Sequence, residues 1–240
     1  MGKRIIAQRR GSGSSLYRIP SHLYKYAVRY APKDVMNKNL KGKVLDIIKS
    51  NAHSAPLLKV LILNKTYYLV APEGISVGET LSLGPEDSSK PKRGDILFLK
   101  DIPEGNLIYN IESMPGDGGK FVRSSGSYAR LISKTDTYAL IEFPSKKLRK
   151  FPLSCRATIG IVAGAGRSEK PIFKAGNAFY KAKSKHKLYP KVSGSAMNAV
   201  DHPFGNKRTS RKAKKIPVSR GTPPGRKVGM IAAKRTGKKK

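Results

Sequence analysis

The sequence predicts a mostly β protein, with two small β modules in the middle of the chain and a long basic extension at each end. Three observations carry this. Short β-rich runs recur at residues 44–48, 57–63, 66–70, 96–99, 107–111, 138–143 and 158–163, most of them separated by Gly, Pro, Asn or Asp. Charge is segregated: residues 1–35 hold eight Lys/Arg against one acid, 36–172 hold 21 against 13, and 173–240 hold 20 against one. No long segment sustains a 3.6-residue apolar period.

Within the middle, Asn64-Lys65 fits a two-residue hairpin loop, because Asn tolerates positive φ. Pro144-Ser145-Lys146 separates a strand over 138–143 from one over 149–153. Residues 90–94, after Pro85-Glu86-Asp87, mark the boundary between the modules. The expected division is an N-terminal extension over 1–35, one module over 36–90, a second over 91–172 and a C-terminal extension over 173–240. The ends hold few large aliphatic residues, so they are expected to stay disordered until bound.

The net charge of +34 on 240 residues would repel a compact chain from itself, and a large polyanion is the simplest partner. A membrane reading needs a long apolar span or a basic amphipathic helix, and neither is visible. Arg9 and Arg10 lead straight into Gly11, which does not fit a signal peptide. The single cysteine, Cys155, is read as a small buried residue and leaves no disulfide partner. His22, His53, His186 and His202 lack metal-ligand spacing, so neither metal nor cofactor is expected.

Gly116-Asp117-Gly118-Gly119-Lys120 lacks P-loop spacing. It reads either as a tight turn or as a loop whose amides cradle RNA phosphate, with Lys120 and Arg123 beside it. Gly164-Ala165-Gly166-Arg167 is read the same way. The N-terminal arm interleaves bases and rings at Tyr17-Arg18, Tyr24-Lys25-Tyr26 and Arg29-Tyr30, a pattern that suits stacking on unpaired bases. In the C-terminal tail, the basic run from Lys207-Arg208 through Arg211-Lys212 is separated from Arg226-Lys227 by Gly221 and Gly225, and such glycines let an extended backbone lie against a polyanion. Asp201-His202 has the look of half a catalytic relay, but no nucleophile accompanies it.

The run from Val192 to Gly205, Val-Ser-Gly-Ser-Ala-Met-Asn-Ala-Val-Asp-His-Pro-Phe-Gly, closely resembles the signature of the second universal large-subunit ribosomal protein family. Further matches span the chain: Gly2-Lys3-Arg4, Gln8-Arg9-Arg10-Gly11, Pro115-Gly116-Asp117-Gly118-Gly119, Arg156-Ala157-Thr158-Ile159-Gly160, the segment around Arg167, Lys174-Ala175-Gly176, and Pro223-Pro224-Gly225-Arg226-Lys227. Pro203-Phe204 is similar to the archaeal or eukaryotic branch, and the short, plain C-terminus favours archaeal. The family usually continues with a glycine run, where this chain has Asn206-Lys207.

The resemblance implies an oligonucleotide-binding (OB) barrel followed by an SH3-like barrel, with extensions threaded into rRNA. It implies RNA contacts from Arg4, Arg9, Arg10, Arg156, Arg167, Lys174, Lys181, Lys183 and Lys185, and from the loop of Met197, Asn198, Asp201 and His202 near the peptidyl-transferase centre. The expected function is a structural constituent of the large ribosomal subunit, not an enzyme, located in cytoplasmic ribosomes. It would support subunit association, tRNA placement and peptide-bond formation. Its partners would be large-subunit rRNA, other ribosomal proteins and, indirectly, tRNA and the small subunit. Two alternatives stand beside it: a chromatin-type DNA-compacting protein, and an enzyme using His202.

Overall fold

In the computed structural model the chain divides into two compact units, Ser21–Pro171 and the pair of segments Met1–Pro20 with Ile172–Lys240. The structure describes residues 2–32, 40–84, 91–206 and 217–234.

Among its described residues the unit Ser21–Pro171 has ten strands: β1 Leu40–Ile48, β2 Leu57–Ile62, β3 Lys65–Val70, β4 Thr80–Leu83, β5 Ile96–Phe98, β6 Leu107–Tyr109, β7 Ala129–Lys134, β8 Tyr138–Glu142, β9 Leu148–Pro152 and β10 Arg156–Ile159. Their hydrogen-bonded order is β3-β2-β1-β4-β5-β10-β6-β7-β8-β9. All pairs are antiparallel except β4 with β5, which meet in parallel at Leu83 and Ile96. The architecture is mostly β, as the sequence predicts.

Alternation along single strands lets one sheet serve several cores. On β5, Ile96 enters a cluster with Val44, Leu58, Val60, Ile62, Leu69, Leu81 and Leu83. Its neighbour Leu97 enters a second cluster with Leu99, Ile108, Leu131, Ile141, Phe151 and Ala157. On β2, Leu57 turns away from Leu58 into a third cluster with Val28, Val70, Tyr109 and Val162. Asp95 joins β4 to the segment before β5: its buried carboxylate accepts the N–H of Lys92 at 2.7 Å and of Ser82 at 2.9 Å.

Three local expectations are corrected. The β2–β3 register pairs Ile62 with Lys65, so the loop is Leu63-Asn64 and the positive φ of 44° falls on Leu63. Strands β4 and β7 were not expected from the sequence. Strand β10 covers Arg156–Ile159 rather than 158–163, because Gly160 takes a φ of 113° and ends it. The turn at Pro144-Ser145-Lys146 is as expected, with the Lys146 N–H donating to Phe143 O at 2.8 Å.

A buried polar network ties the N-terminal arm into this unit. Arg156 Nε and Nη2 donate to Glu112 Oε1 at 2.9 and 2.6 Å, and Nη1 donates to Ala31 O at 2.7 Å. The Arg156 N–H donates to Glu112 Oε2 at 2.9 Å. Tyr30 lies with its ring 5.3 Å from the guanidinium, donates its hydroxyl to Asn110 O at 2.7 Å and sits 2.6 Å from Thr158 Oγ1. Tyr30 is therefore a core residue rather than a free ring of the arm, whereas Tyr24 is half exposed.

The other unit is of a different kind. It carries helix α1 (Ile6–Gly11), helix α2 (Ala175–Lys183) and a two-residue parallel pair, β11 Pro217–Val218 with β12 Met230–Ile231. Among its described residues only Ile5 and Gly205 are buried. It holds 25 Lys/Arg and one acid, a net +24 of the chain's +34.

Two outcomes follow from the core. Tyr30→Ala should cost about 3–5 kcal/mol of stability in urea unfolding, since it removes a buried aromatic and two hydrogen bonds, whereas Tyr24→Ala should cost less than about 1 kcal/mol. Equal small losses would show that the arm does not belong to the core. Burial, reinforced by the Glu112 and Asp117 charges, pushes the Cys155 thiol up to about 12. A raised thiol pKa favours folding fully below the ordinary value of about 8.5, and that contribution is lost as pH rises toward the folded value. At pH 8 thiol-reagent labelling of Cys155 should therefore proceed only at the rate of unfolding, and fast labelling of the folded protein would refute the packing.

Candidate nucleic-acid interface

The loop from Ser193 to Asn206 is shaped by short-range hydrogen bonds. The N–H groups of Asp201 and His202 both donate to Asn198 O, at 3.0 and 3.1 Å. Gly205 N–H donates to His202 O at 2.9 Å, and Asn206 N–H to Met197 O at 3.2 Å. The N-terminal segment closes on it: Lys3 N–H donates to Val200 O at 2.8 Å, and the Lys3 ammonium stands 3.8 Å from the Asp201 carboxylate.

Glycine is required here by contact. A Cβ on Gly194 would overlap the imidazole of His202, and one on Gly205 would strike the backbone of Met197 and Asn198. His202 is fixed further by Phe204, whose N–H donates to His202 Nδ1 at 3.0 Å and whose ring lies 5.1 Å from the imidazole. With Nδ1 accepting, the neutral ring carries its proton on Nε2. Nε2 is then a donor, and base action at Nε2 would require the other tautomer and loss of the Phe204 hydrogen bond.

His202 lies between two cationic clefts. One, of about 300 Å³, is lined by Lys3, Arg4, Gln8, Pro203 and Pro224. The other, of about 430 Å³, is lined by Arg10, Lys191, Met197, Lys227 and Val228. Arg4, Arg10, Met197, His202 and Lys227, all read from the sequence as RNA contacts, are thus brought together. Asn198 and Asp201 shape the same loop. Arg9 donates Nε–H to Arg4 O at 3.0 Å. Tyr17 and Lys183 meet in a separate groove beside α2, while Arg18, Lys174, Lys181 and Arg226 are exposed and Lys185 is half-buried.

In the unit Ser21–Pro171, Lys25, Arg29, Lys120 and Arg167 are exposed, and Arg167 Nε–H donates to Ser125 Oγ at 2.6 Å. Two readings are corrected. Arg156 is 1 % exposed and spends its guanidinium on Glu112 and Ala31, so it cannot contact RNA in this fold. The glycine loop cannot cradle phosphate with its amides. Gly116 and Gly118 N–H donate to Glu112, Gly119 N–H to Asp117, Asp117 N–H to Met114 O and Lys120 N–H to Ile111 O. Burial tends to raise the Asp117 pKa, but the amides of Gly119, Ser113 and Met114, with Lys120, outweigh it and hold the carboxyl below its ordinary value. Arg123 also turns inward, donating to Gly119 O at 3.0 Å and Val28 O at 2.9 Å. Lys207, Arg208, Arg211 and Lys212 lie outside the described residues.

Sequence reasoning missed Glu112, the acid that Arg156 answers, and Phe179-Tyr180-Lys181, which repeats the ring-and-base interleaving of the N-terminal arm. Among the described residues, no helix is long and apolar enough to cross a membrane, and no cluster of three His, Cys, Asp or Glu could hold a metal ion.

Residues 92–222 match the family model described as Ribosomal Proteins L2, C-terminal domain. The chain is 50% identical over 240 residues to the large ribosomal subunit protein uL2 of Methanococcoides burtonii, covering all of both chains. It is 49% identical over 242 residues to the uL2 protein of Methanococcus maripaludis, again covering both chains in full. A full-length likeness of this strength, with the matched C-terminal domain and the loop around His202, settles the family: the chain belongs to the archaeal-type ribosomal protein L2 family, a family of structural proteins and not of enzymes.

Proposed function

We propose that this protein binds large-subunit rRNA near the peptidyl-transferase centre, with the unit Met1–Pro20 plus Ile172–Lys240 as its main RNA-contacting part. The observation that carries this is a unit of net +24 of whose described residues only Ile5 and Gly205 are buried. Burial of apolar surface cannot offset the chain entropy of such a segment. Phosphate neutralisation supplies what the missing core does not. On this reading residues 36–90 act as an OB-like barrel, 91–172 as an SH3-like barrel, and 1–35 and 173–240 as the extensions. The partners are rRNA and neighbouring ribosomal proteins, and support of tRNA placement and subunit association follows from the position beside the catalytic RNA.

A DNA-compacting role shares the charge but gives no reason for the fixed, glycine-dependent loop around His202. Salt-resistant binding to folded rRNA over duplex DNA separates the two readings.

Deleting residues 173–240 removes a net +19 and should both weaken rRNA binding and flatten its salt dependence. Each phosphate left without its cation reduces the log–log slope by about 0.7–0.9. An unchanged slope would remove this segment from the interface.

His202 acts by position in this proposal, with Nε2–H presented as a donor. Gln can accept the Phe204 N–H and present a polar edge but cannot act as a base. Reconstituted subunits with His202→Gln should keep most peptidyl transfer once assembled, with any loss in assembly or tRNA placement. Removal of a general base costs about 10²–10⁴-fold, and a loss of that size in fully assembled subunits would overturn the positional role.

A further inference from the structure

Helix α2 has no buried residue, yet it carries an apolar face. A nine-residue helix is marginal in water without a packing partner. Its rings Phe179 and Tyr180 stand edge to face, 5.5 Å apart, and line an open groove of about 670 Å³ with Tyr17, Tyr189 and Leu188. Tyr180 is 67 % exposed. The apolar floor therefore lacks a cover from the unit's described residues. Lys183 and Lys187 line it, and no acid does so among the described residues. The only acid of the whole unit, Asp201, pairs with Lys3 elsewhere.

Flat rings with cations beside them suit one class of occupant. An unpaired nucleotide offers a π face for the rings and a phosphate for the ammonium groups. An apolar protein segment would use the floor but leave the lysines unanswered. We propose that this groove is a stacking site for unpaired nucleotides of the bound RNA, with Tyr180 as its main platform and Lys183 and Lys187 holding the flanking phosphates. The proposal rests on the rRNA-binding reading and adds a specific subsite to it.

The test uses the full chain and large-subunit rRNA, with affinity measured across salt concentrations. Stacking is worth a factor of roughly 5 to 150 per base, so Tyr180→Leu should weaken binding by that order with an unchanged salt slope. Tyr180→Phe should bind like the parent, because the flat ring survives. Lys183→Gln with Lys187→Gln should reduce the slope by about 1.4–1.8, as two phosphate contacts would. Tyr180 is exposed, so these variants leave folding intact. A Leu variant that binds like the parent, or a Phe variant as weak as Leu, overturns stacking while leaving rRNA binding in place. An effect seen only when other ribosomal proteins are present assigns the groove to a protein partner and also overturns it. A parent protein that fails to bind rRNA at all defeats the broader reading instead.

Discussion

The buried pair of Arg156 and Glu112 is the constraint on which the Ser21–Pro171 unit depends. Moving two charges out of water costs several kcal/mol per ion unless geometry and further hydrogen bonds compensate. Here they do. Glu112 accepts from three donors of Arg156 and from the amides of Gly116 and Gly118, and Arg156 Nη1 reaches Ala31 O. Removing one partner would strand the other charge at a cost of about 3–5 kcal/mol. That penalty locks together the glycine loop, strand β10 and the Val28–Ala31 segment, which are far apart in sequence. The Glu112 charge also helps burial hold the Cys155 thiol neutral, against the opposing effect of Arg156.

The network also explains what the sequence could and could not disclose. Charge segregation and recurring β runs were local facts, and the mostly β class followed from them. Strand β4, Thr80-Leu81-Ser82-Leu83, is only four residues long, and β7 mixes Arg130, Ser133 and Lys134 into its run, so neither stood out. The hairpin loop fell one residue early because cross-strand packing set the register, overriding the preference of Asn64 for positive φ. Arg156 looked like every other arginine in a chain with 49 basic residues. Its role depends on Glu112, 44 positions away, and spacing along the chain does not reveal that pairing. The glycine loop failed for the same reason: its residues suit anion binding, but the acids beside it already occupy the amides.

In the candidate interface the legible part was larger. Arg4, Arg10, Met197, His202 and Lys227 were all named from sequence, and the structure gathers them around one loop. The resemblance to the family carried that loop, since composition alone marks only a basic tail. What the sequence could not supply was the tautomer. The Phe204 N–H on Nδ1 is a backbone hydrogen bond two residues away, and it decides which face of His202 can donate.

A unit with almost no buried residues among those described still needs a means of fixing shape. In this one the means is local. Backbone hydrogen bonds span three to nine residues within the loop, and Gly194 and Gly205 allow contacts that any Cβ would block. Such bonds specify a short segment well, because the entropy of closing a few residues is small. They add little to the cohesion of the whole unit, where 25 basic residues repel one another. Local geometry is thus written into the chain, while its cohesion is left to a partner carrying the opposite charge. That division fits the proposed role of the loop, which would present His202 in one orientation against rRNA, and it accounts for helix α2, which displays aromatic rings that the described residues of the unit do not bury.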